Sequence, residues 1–115
     1  MIVEKVVENG NTYRVETNGA TVVKMKVDPM LRYDEVPRTV NAGDVVTIAM
    51  RLEEFDGTRL HATMPVTLIV DREPATIELT GGAVTLELEL TARGRHRIHL
   101  QPTALSMEPI EIDVV

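Results

Sequence analysis

Histidine and serine are the residues of this sequence that could support catalysis, and both are scarce. The chain of 115 residues has three histidines and one serine, Ser106. A Ser-His-Asp triad would have to use Ser106, yet no nucleophile-elbow glycines flank it. The lack of cysteine excludes thiol catalysis, disulfides, iron–sulfur clusters and cysteine-type zinc sites. The sequence therefore predicts a protein that is not an enzyme and that needs no cofactor.

His96 and His99 are close enough in sequence to be considered as metal ligands. They are three residues apart, and in a strand this spacing puts them on opposite faces. They could not hold one metal together without a bulge, and no motif supplies further ligands. We expect His96 to fill a corner position inside the fold, His99 to lie outside, and no metal site.

Acidic residues cluster at two places. Glu53, Glu54 and Asp56 surround a turn, where carboxylates and carbonyls could suit calcium. The Asp-x-Asp-x-Asp-Gly spacing is missing, so a solvated loop is favoured. Glu87 and Glu89 lie about 7 Å apart on one face of a strand, which is an inverting-glycosidase separation. The polar face continues beyond them and no aromatic sugar platform is available, so a solvated sheet surface is favoured.

Arginines form one dense basic run, with Arg95 and Arg97 at alternate positions after Arg93. They could bind an acidic partner. If the last two strands pair, however, Arg97 and His99 face solvent beside acidic residues of the final strand. Cross-strand pairs of opposite charge then explain the run, and each contributes roughly 0.2–1 kcal/mol.

Composition limits the partners that we expect. The net charge of −6 argues against general binding to nucleic acid or anionic membranes, since both are negatively charged. Aromatic residues make up 3% of the chain, which weakens any function that needs stacking platforms. The first residues carry charge at once and do not resemble a secretory signal, and no stretch is long enough for a membrane helix. We expect a protein that is cytoplasmic as synthesised.

Two hairpin signals divide residues 1–27 into three predicted strands, at residues 2–8, 11–17 and 20–27. Asn9-Gly10 and Asn18-Gly19 separate them, and Asn-Gly favours a tight turn because both residues accept positive φ. Residues 28–44 are predicted as a connector, in which residues 30–36 form a helical turn or an irregular loop and residues 38–41 a short edge strand.

Period-two alternation is strong from residue 45 onward. Val46, Ile48, Met50 and Leu52 alternate with less apolar residues, and the cleanest predicted strand follows Gly82. With the edge strand, about seven short strands are predicted after residue 37, which favours a sandwich or barrel. The sequence therefore predicts an all-β fold, with an N-terminal β-meander and connector at residues 1–36 and an antiparallel sandwich at residues 37–115.

Residues 38–115 resemble bacterial immunoglobulin-like domains of the invasin and intimin type. The motifs that carry the resemblance are Ala42-Gly43-Asp44 before a strand, Asp56-Gly57, the strand that begins Pro65-Val66-Thr67, Gly82-Ala83 before a strand, and the Gly94 turn. His96 stands where that family usually has tyrosine. The resemblance implies an immunoglobulin-like sandwich, and single domains of this kind also decorate the tails and capsids of bacteriophages.

We therefore expect a structural or interaction module that is an accessory protein of a phage or prophage virion and whose meander binds protein partners or self-associates. The alternative is a domain that binds a surface glycan or protein, such as a host-surface ligand, through the loop at residues 102–109. A rigid sandwich often presents recognition loops. The candidate loop residues are Pro102, Thr103, Ala104, Leu105, Ser106 and Met107. Whether Leu105 or Met107 instead packs back onto the core is left open by the sequence.

Overall fold

The computed structural model describes residues 1–103 and 105–115, and within them it contains eleven strands and no helix. Ala104, one of the candidate loop residues, lies outside the described residues. The strands are β1 (Ile2–Glu8), β2 (Asn11–Asn18), β3 (Thr21–Lys26), β4 (Met30–Tyr33), β5 (Thr39–Val40), β6 (Val45–Glu53), β7 (Met64–Val70), β8 (Glu73–Leu79), β9 (Ala83–Glu89), β10 (Gly94–Leu100) and β11 (Ile110–Val114). The predicted all-β class is confirmed.

Strands β1, β2 and β3 form an antiparallel three-stranded sheet, the meander. Asn9 and Gly10 form its first turn with φ values of 51° and 77°, as the Asn-Gly signal predicts. The second turn differs by one residue, because Asn18 pairs with Thr21 and the two turn residues are therefore Gly19 and Ala20. Gly19 alone has positive φ there, which is the pattern of a II′ turn.

The rest of the chain forms a two-layer sandwich. One sheet has the order β4-β6-β9 and the other the order β5-β11-β10-β7-β8. All pairs are antiparallel except β5 with β11. The seven strands predicted after residue 37 are all present. The buried hydrophobic core lies between these two sheets and consists of Leu31, Val46, Ile48, Met50, Leu52, Val66, Leu68, Leu79, Leu90, Ile98, Ile110, Ile112 and Val114.

The interpretation of residues 30–36 as a helical turn or irregular loop is wrong. Met30–Tyr33 is strand β4 and pairs with β6, and Leu31 is only 1% exposed in the core. The amide of Leu31 donates to the carbonyl oxygen of Ser106 (2.8 Å), so the edge of β4 that faces away from β6 also has a hydrogen-bond partner. A four-residue strand is too short to show a period in sequence. The sandwich therefore begins before the predicted boundary at residue 37.

Strand β8 follows β7 in a hairpin that has no turn signal in the sequence. It is joined to β7 by a two-residue turn in which Asp71 and Arg72 have φ values of 49° and 74°. Neither residue is the Gly or Asn that usually marks such a turn, so the sequence does not predict this hairpin. Pro74 is tolerated in this strand because β8 is at the edge of its sheet.

The molecule is elongated, with principal dimensions of 56 × 28 × 21 Å. Its radius of gyration is 17.1 Å, whereas a compact domain of this length has about 13 Å. The difference arises because the meander extends the sandwich lengthwise and does not lie over it. Over the described residues, no helix has the length and apolarity that a membrane crossing requires.

Candidate functional site

The meander is a single layer whose apolar side chains are largely uncovered. Nine large hydrophobic residues are exposed in the described part of the chain, and seven of them lie within residues 1–25. They are Met1, Ile2, Val3, Val7, Val22, Val23 and Met25. Ile2 on β1 and Val22 on β3, for example, are 60% and 63% exposed. A concentration of exposed apolar residues of this kind often marks a protein contact site.

Strand register divides the meander into two faces. Lys5 pairs with Arg14 and Arg14 with Met25, so these three share one face, here called face A. The residues next to them along each strand, such as Tyr13 and its partners Val6 and Lys26, lie on the opposite face, here called face B. Face A contacts the sandwich at the loop after β6. Apolar residues remain exposed on both faces, so this contact leaves most of the meander uncovered.

The contact between face A and the sandwich is an ionic junction. Lys5 forms ion pairs with Glu54 and Asp56, the latter at 3.5 Å. The hydroxyl of Thr12 donates to Glu54 (3.3 Å), and the Arg14 guanidinium lies 6.0 Å from the centre of the Phe55 ring. The side chain of Glu54 is only 12% exposed, so Lys5 compensates a largely buried charge.

The acidic cluster considered for calcium is occupied by cations of the protein itself. Glu53 contacts Arg32 (3.1 Å) and Arg51 (2.6 Å), while Glu54 and Asp56 share Lys5. The pKa of Asp56 is lowered first by the Thr58 amide, which donates to its carboxylate, and further by Lys5. The loop is therefore a docking point for the meander and not the freely solvated loop that the sequence favoured. Across the described residues, no three His, Asp or Glu side chains cluster as a metal site would need.

The candidate loop at residues 102–109 lies at the same end of the sandwich as the meander. Ser106 donates its amide to the carbonyl oxygen of Pro29 (3.2 Å) and accepts from Leu31, which fixes the loop to the start of β4. Leu105 and Met107 pack against the core, which answers the question left open by the sequence. The exposed described members of the loop are Pro102, Thr103, Ser106, Glu108 and Pro109. A cavity of about 230 Å³ lies between the start of the loop and the start of β7.

His96 occupies the corner between β9 and β10, as expected. Its Nε2 contacts the carbonyl oxygen of Ala92 (2.6 Å), and its Nδ1 contacts the carboxylate of Asp71. A carbonyl oxygen and an ionised carboxylate both accept, so the two contacts fit a ring that is protonated at both nitrogens. The Ala92 carbonyl, followed by Asp71, therefore raises the pKa of His96. The other Asp71 oxygen accepts from the Arg97 amide (2.9 Å), which links the turn between β7 and β8 to β10.

Strands β10 and β11 pair as predicted, but a different arginine makes the cross-strand contacts. Arg95 lies 3.3 Å from Asp113 and 4.0 Å from Glu111. Arg97 is opposite Glu111 in the register and is exposed, without an ion pair in the described residues. His99 shares the outer face with these arginines, although it is half-buried and not fully outside.

Comparisons with known proteins support the fold alone. No family model and no curated protein matches the sequence. Among solved structures, the chain is similar to a β-glucosidase from Listeria innocua in complex with glucose, at a TM-score of 0.50 and 12% identity. The similarity covers 80% of this chain but only 17% of that chain. It therefore concerns one part of a much longer protein and does not bring its activity to this one.

Proposed function

We propose that the protein is a non-enzymatic interaction module that assembles with further copies of itself through the meander. The observation that carries the proposal is the concentration of exposed apolar residues in residues 1–25, seven of nine among the described residues. An isolated small sheet without a covering layer gains little stability of its own. Further copies would supply partners for the free strand edges, and an extended sheet that closes on itself covers its inward apolar face.

The charges of the two meander edges favour one mode of contact. On face B, Glu8 of edge strand β1 and Lys24 of edge strand β3 already pair with each other (2.6 Å), which leaves Glu4 on β1 and Lys26 on β3 for an outside partner. Contact of β1 with β3 of another copy brings opposite charges together, and contact of like edges brings equal charges together. Neither edge contains a proline that would interrupt pairing. Such a head-to-tail contact produces a ring or a filament and not a two-fold dimer.

Sedimentation velocity over a range of protein concentrations tests this proposal. The wild-type chain should sediment as an oligomer, and Lys26→Glu or Glu4→Lys should each weaken the association, because each variant sets like charges at the contact. The double variant with both changes restores opposite charges with reversed sign and should associate again. Lys26 and Glu4 make no ion pair in the described residues, so the fold is expected to survive.

A monomer at every concentration would contradict the proposal. So would a double variant that associates no better than the single variants, because the contact would then not depend on the two edges. Arg38→Glu, an equal charge reversal at an exposed position of the sandwich, serves as the matched control and should leave the association unchanged.

We also propose that the sandwich is immunoglobulin-like and that the assembly belongs to a phage or prophage virion. The first assignment is supported by the sheet orders β4-β6-β9 and β5-β11-β10-β7-β8, in which β6 and β9 are neighbours although β7 and β8 lie between them in sequence. His96 also bonds a carbonyl four residues upstream, as the corner tyrosine of such domains does. The virion role has its support in the family resemblance, and mass spectrometry of particles purified after prophage induction tests it.

Binding of a surface glycan or protein through residues 102–109 is the second candidate function. The cavity beside Pro102 and Thr103 supports it, since both residues are exposed on a loop held by Ser106. Host-cell or glycan-array binding should disappear in a Pro102→Gly, Thr103→Ala variant and persist in Lys26→Glu. Unchanged binding in the loop variant would refute this assignment.

A further inference from the structure

A second surface with a distinct chemistry lies at the end of the sandwich opposite to the meander. The turn between β7 and β8 and the turn between β9 and β10 meet there, whereas β6 ends and β7 begins at the meander end. Between these turns and the outer face of β10 is a groove of about 660 Å³. Four arginines line it, namely Arg72, Arg93, Arg95 and Arg97, against two carboxylates.

Most of the positive charge in this groove is not neutralised by the protein. Of the two acids that line it, Asp71 is engaged by His96 and by the Arg97 amide, and Glu111 lies nearest to Arg95 at 4.0 Å. Among the described residues, Arg72, Arg93 and Arg97 form no ion pair. A chain of net charge −6 thus has one strongly basic concavity.

His99 adds an unsatisfied group to the wall of the same groove. It lies two residues after Arg97 on the outer face of β10, and its Nδ1 is buried without a hydrogen-bond partner among the described residues. Buried polar atoms of native proteins nearly always have a partner. His99 therefore lines the groove with a ring whose hydrogen bonding is incomplete within the described residues.

We propose that this groove binds a doubly charged oxyanion of the phosphate or sulfate class, with Arg72, Arg93 and Arg97 as its charged donors. Guanidinium groups present paired N–H donors that match the oxygens of such anions, and these charge-assisted bonds are stronger than neutral ones. Arg72 and Arg93 come from the two turns and Arg97 from β10, so donors from three elements line one groove. The proposal is independent of the meander, because the two surfaces lie at opposite ends.

Nuclear magnetic resonance of the histidine rings in the intact chain tests the site, because the chain has only three histidines. Inorganic phosphate or sulfate is added at constant pH and ionic strength, with chloride as the compensating ion. His99 should show a saturable shift with phosphate and sulfate and no shift with chloride alone. His61, which does not line the groove, serves as the internal reference. A shift of all three histidines alike would overturn the proposal.

Variants separate a built site from general charge attraction. Arg93→Gln with Arg97→Gln should weaken phosphate binding about ten-fold or more, since charge-assisted hydrogen bonds are lost. Arg72→Asn should weaken it too, while asparagine tolerates the positive φ of this turn. Lys26→Gln removes one exposed charge from the meander and should change nothing. Equal weakening by Lys26→Gln would overturn the proposal.

The source of the anion is distinguished by comparing inorganic phosphate with a sugar phosphate. Tighter binding of the sugar phosphate identifies an anionic group carried by a larger molecule, and equal binding identifies the free ion; both results support the site. Binding of poly-glutamate without any response to phosphate or sulfate would overturn the proposal in favour of an acidic protein partner.

Discussion

The sandwich and the meander are built from the same kind of short alternating strands, yet only the sandwich has a second layer. In β6 the alternate residues Ile48 and Met50 are buried, because the five-stranded sheet lies opposite them. In β3 the alternate residues Val23 and Met25 remain exposed, because within the described residues no sheet covers them. Alternation in a sequence therefore specifies a strand with two faces, but whether a face is buried depends on what packs against it.

The largest difference between the two regions is expected for glycine substitutions. In the sandwich, a Cβ at Gly82 would lie 1.7 Å from the Leu60 carbonyl oxygen, and Gly82 also has a φ of 79°. Gly82→Ala should lower the free energy of unfolding by about 3 kcal/mol or more, because both clash and backbone strain oppose it. Chemical denaturation measures this change.

Gly19→Ala in the meander is the matched control. Gly19 also has positive φ, but a Cβ there would have no neighbour within 4 Å. We expect a cost of about 1 kcal/mol, from backbone conformation alone. Equal losses for the two variants would contradict the contrast between a closely packed sandwich and an open meander.

A smaller effect is expected where the two regions meet. Lys5→Met leaves the largely buried Glu54 carboxylate without its cation and should cost about 2 kcal/mol. It should also increase proteolysis near residues 27–29, which join the meander to the sandwich. Adding Glu54→Gln removes the uncompensated charge and should recover part of the stability. No recovery in the double variant would show that the ion pair does not hold the junction.

The smallest predicted effect belongs to the sandwich alone and depends on pH. The pKa of His96 is raised in the folded chain, so the protonated ring stabilises the fold fully below its unfolded pKa of about 6.5. This stabilisation is lost as the pH rises through the higher folded pKa. One proton limits the slope to about 1.4 kcal/mol per pH unit. Unfolding measured from pH 6 upward should show this decrease for wild type and not for His96→Tyr.

His96→Tyr is the informative substitution because a tyrosine hydroxyl can donate to the Ala92 carbonyl and does not titrate in this range. Asp71→Asn serves as a second test, since loss of this carboxylate should flatten the same pH dependence. If the His96→Tyr chain retained the full slope, the corner histidine would not be its origin.

Patterns that were long enough to repeat predicted the strands correctly. The alternation in β6 and the Asn9-Gly10 turn led to correct strands because each is a local property of the chain. Strand β4 was missed because four residues carry no period and its partners, β6 and Ser106, are distant in sequence. The turn at Asp71 and Arg72 was missed because its stabilising contacts come from β10.

The candidate surfaces were predicted less well than the fold, because they depend on contacts between segments that are distant in sequence. The loop at residues 102–109 appeared available for recognition, but Leu105 and Met107 are used by the core. The acidic residues Glu54 and Asp56 appeared solvated, but the meander supplies Lys5 to them. The exposure of the meander could not be deduced from its own sequence, which alternates like that of a half-buried strand.

Hydrogen–deuterium exchange at several protein concentrations tests assembly through the meander most directly, because it locates the contact. Assembly through the meander predicts that the outward amides of edge strands β1 and β3 become more protected as the concentration rises, while those of β8, an edge strand of the sandwich, do not change. Protection of the β1 and β3 edges that is independent of concentration, or a change confined to β8, would contradict it.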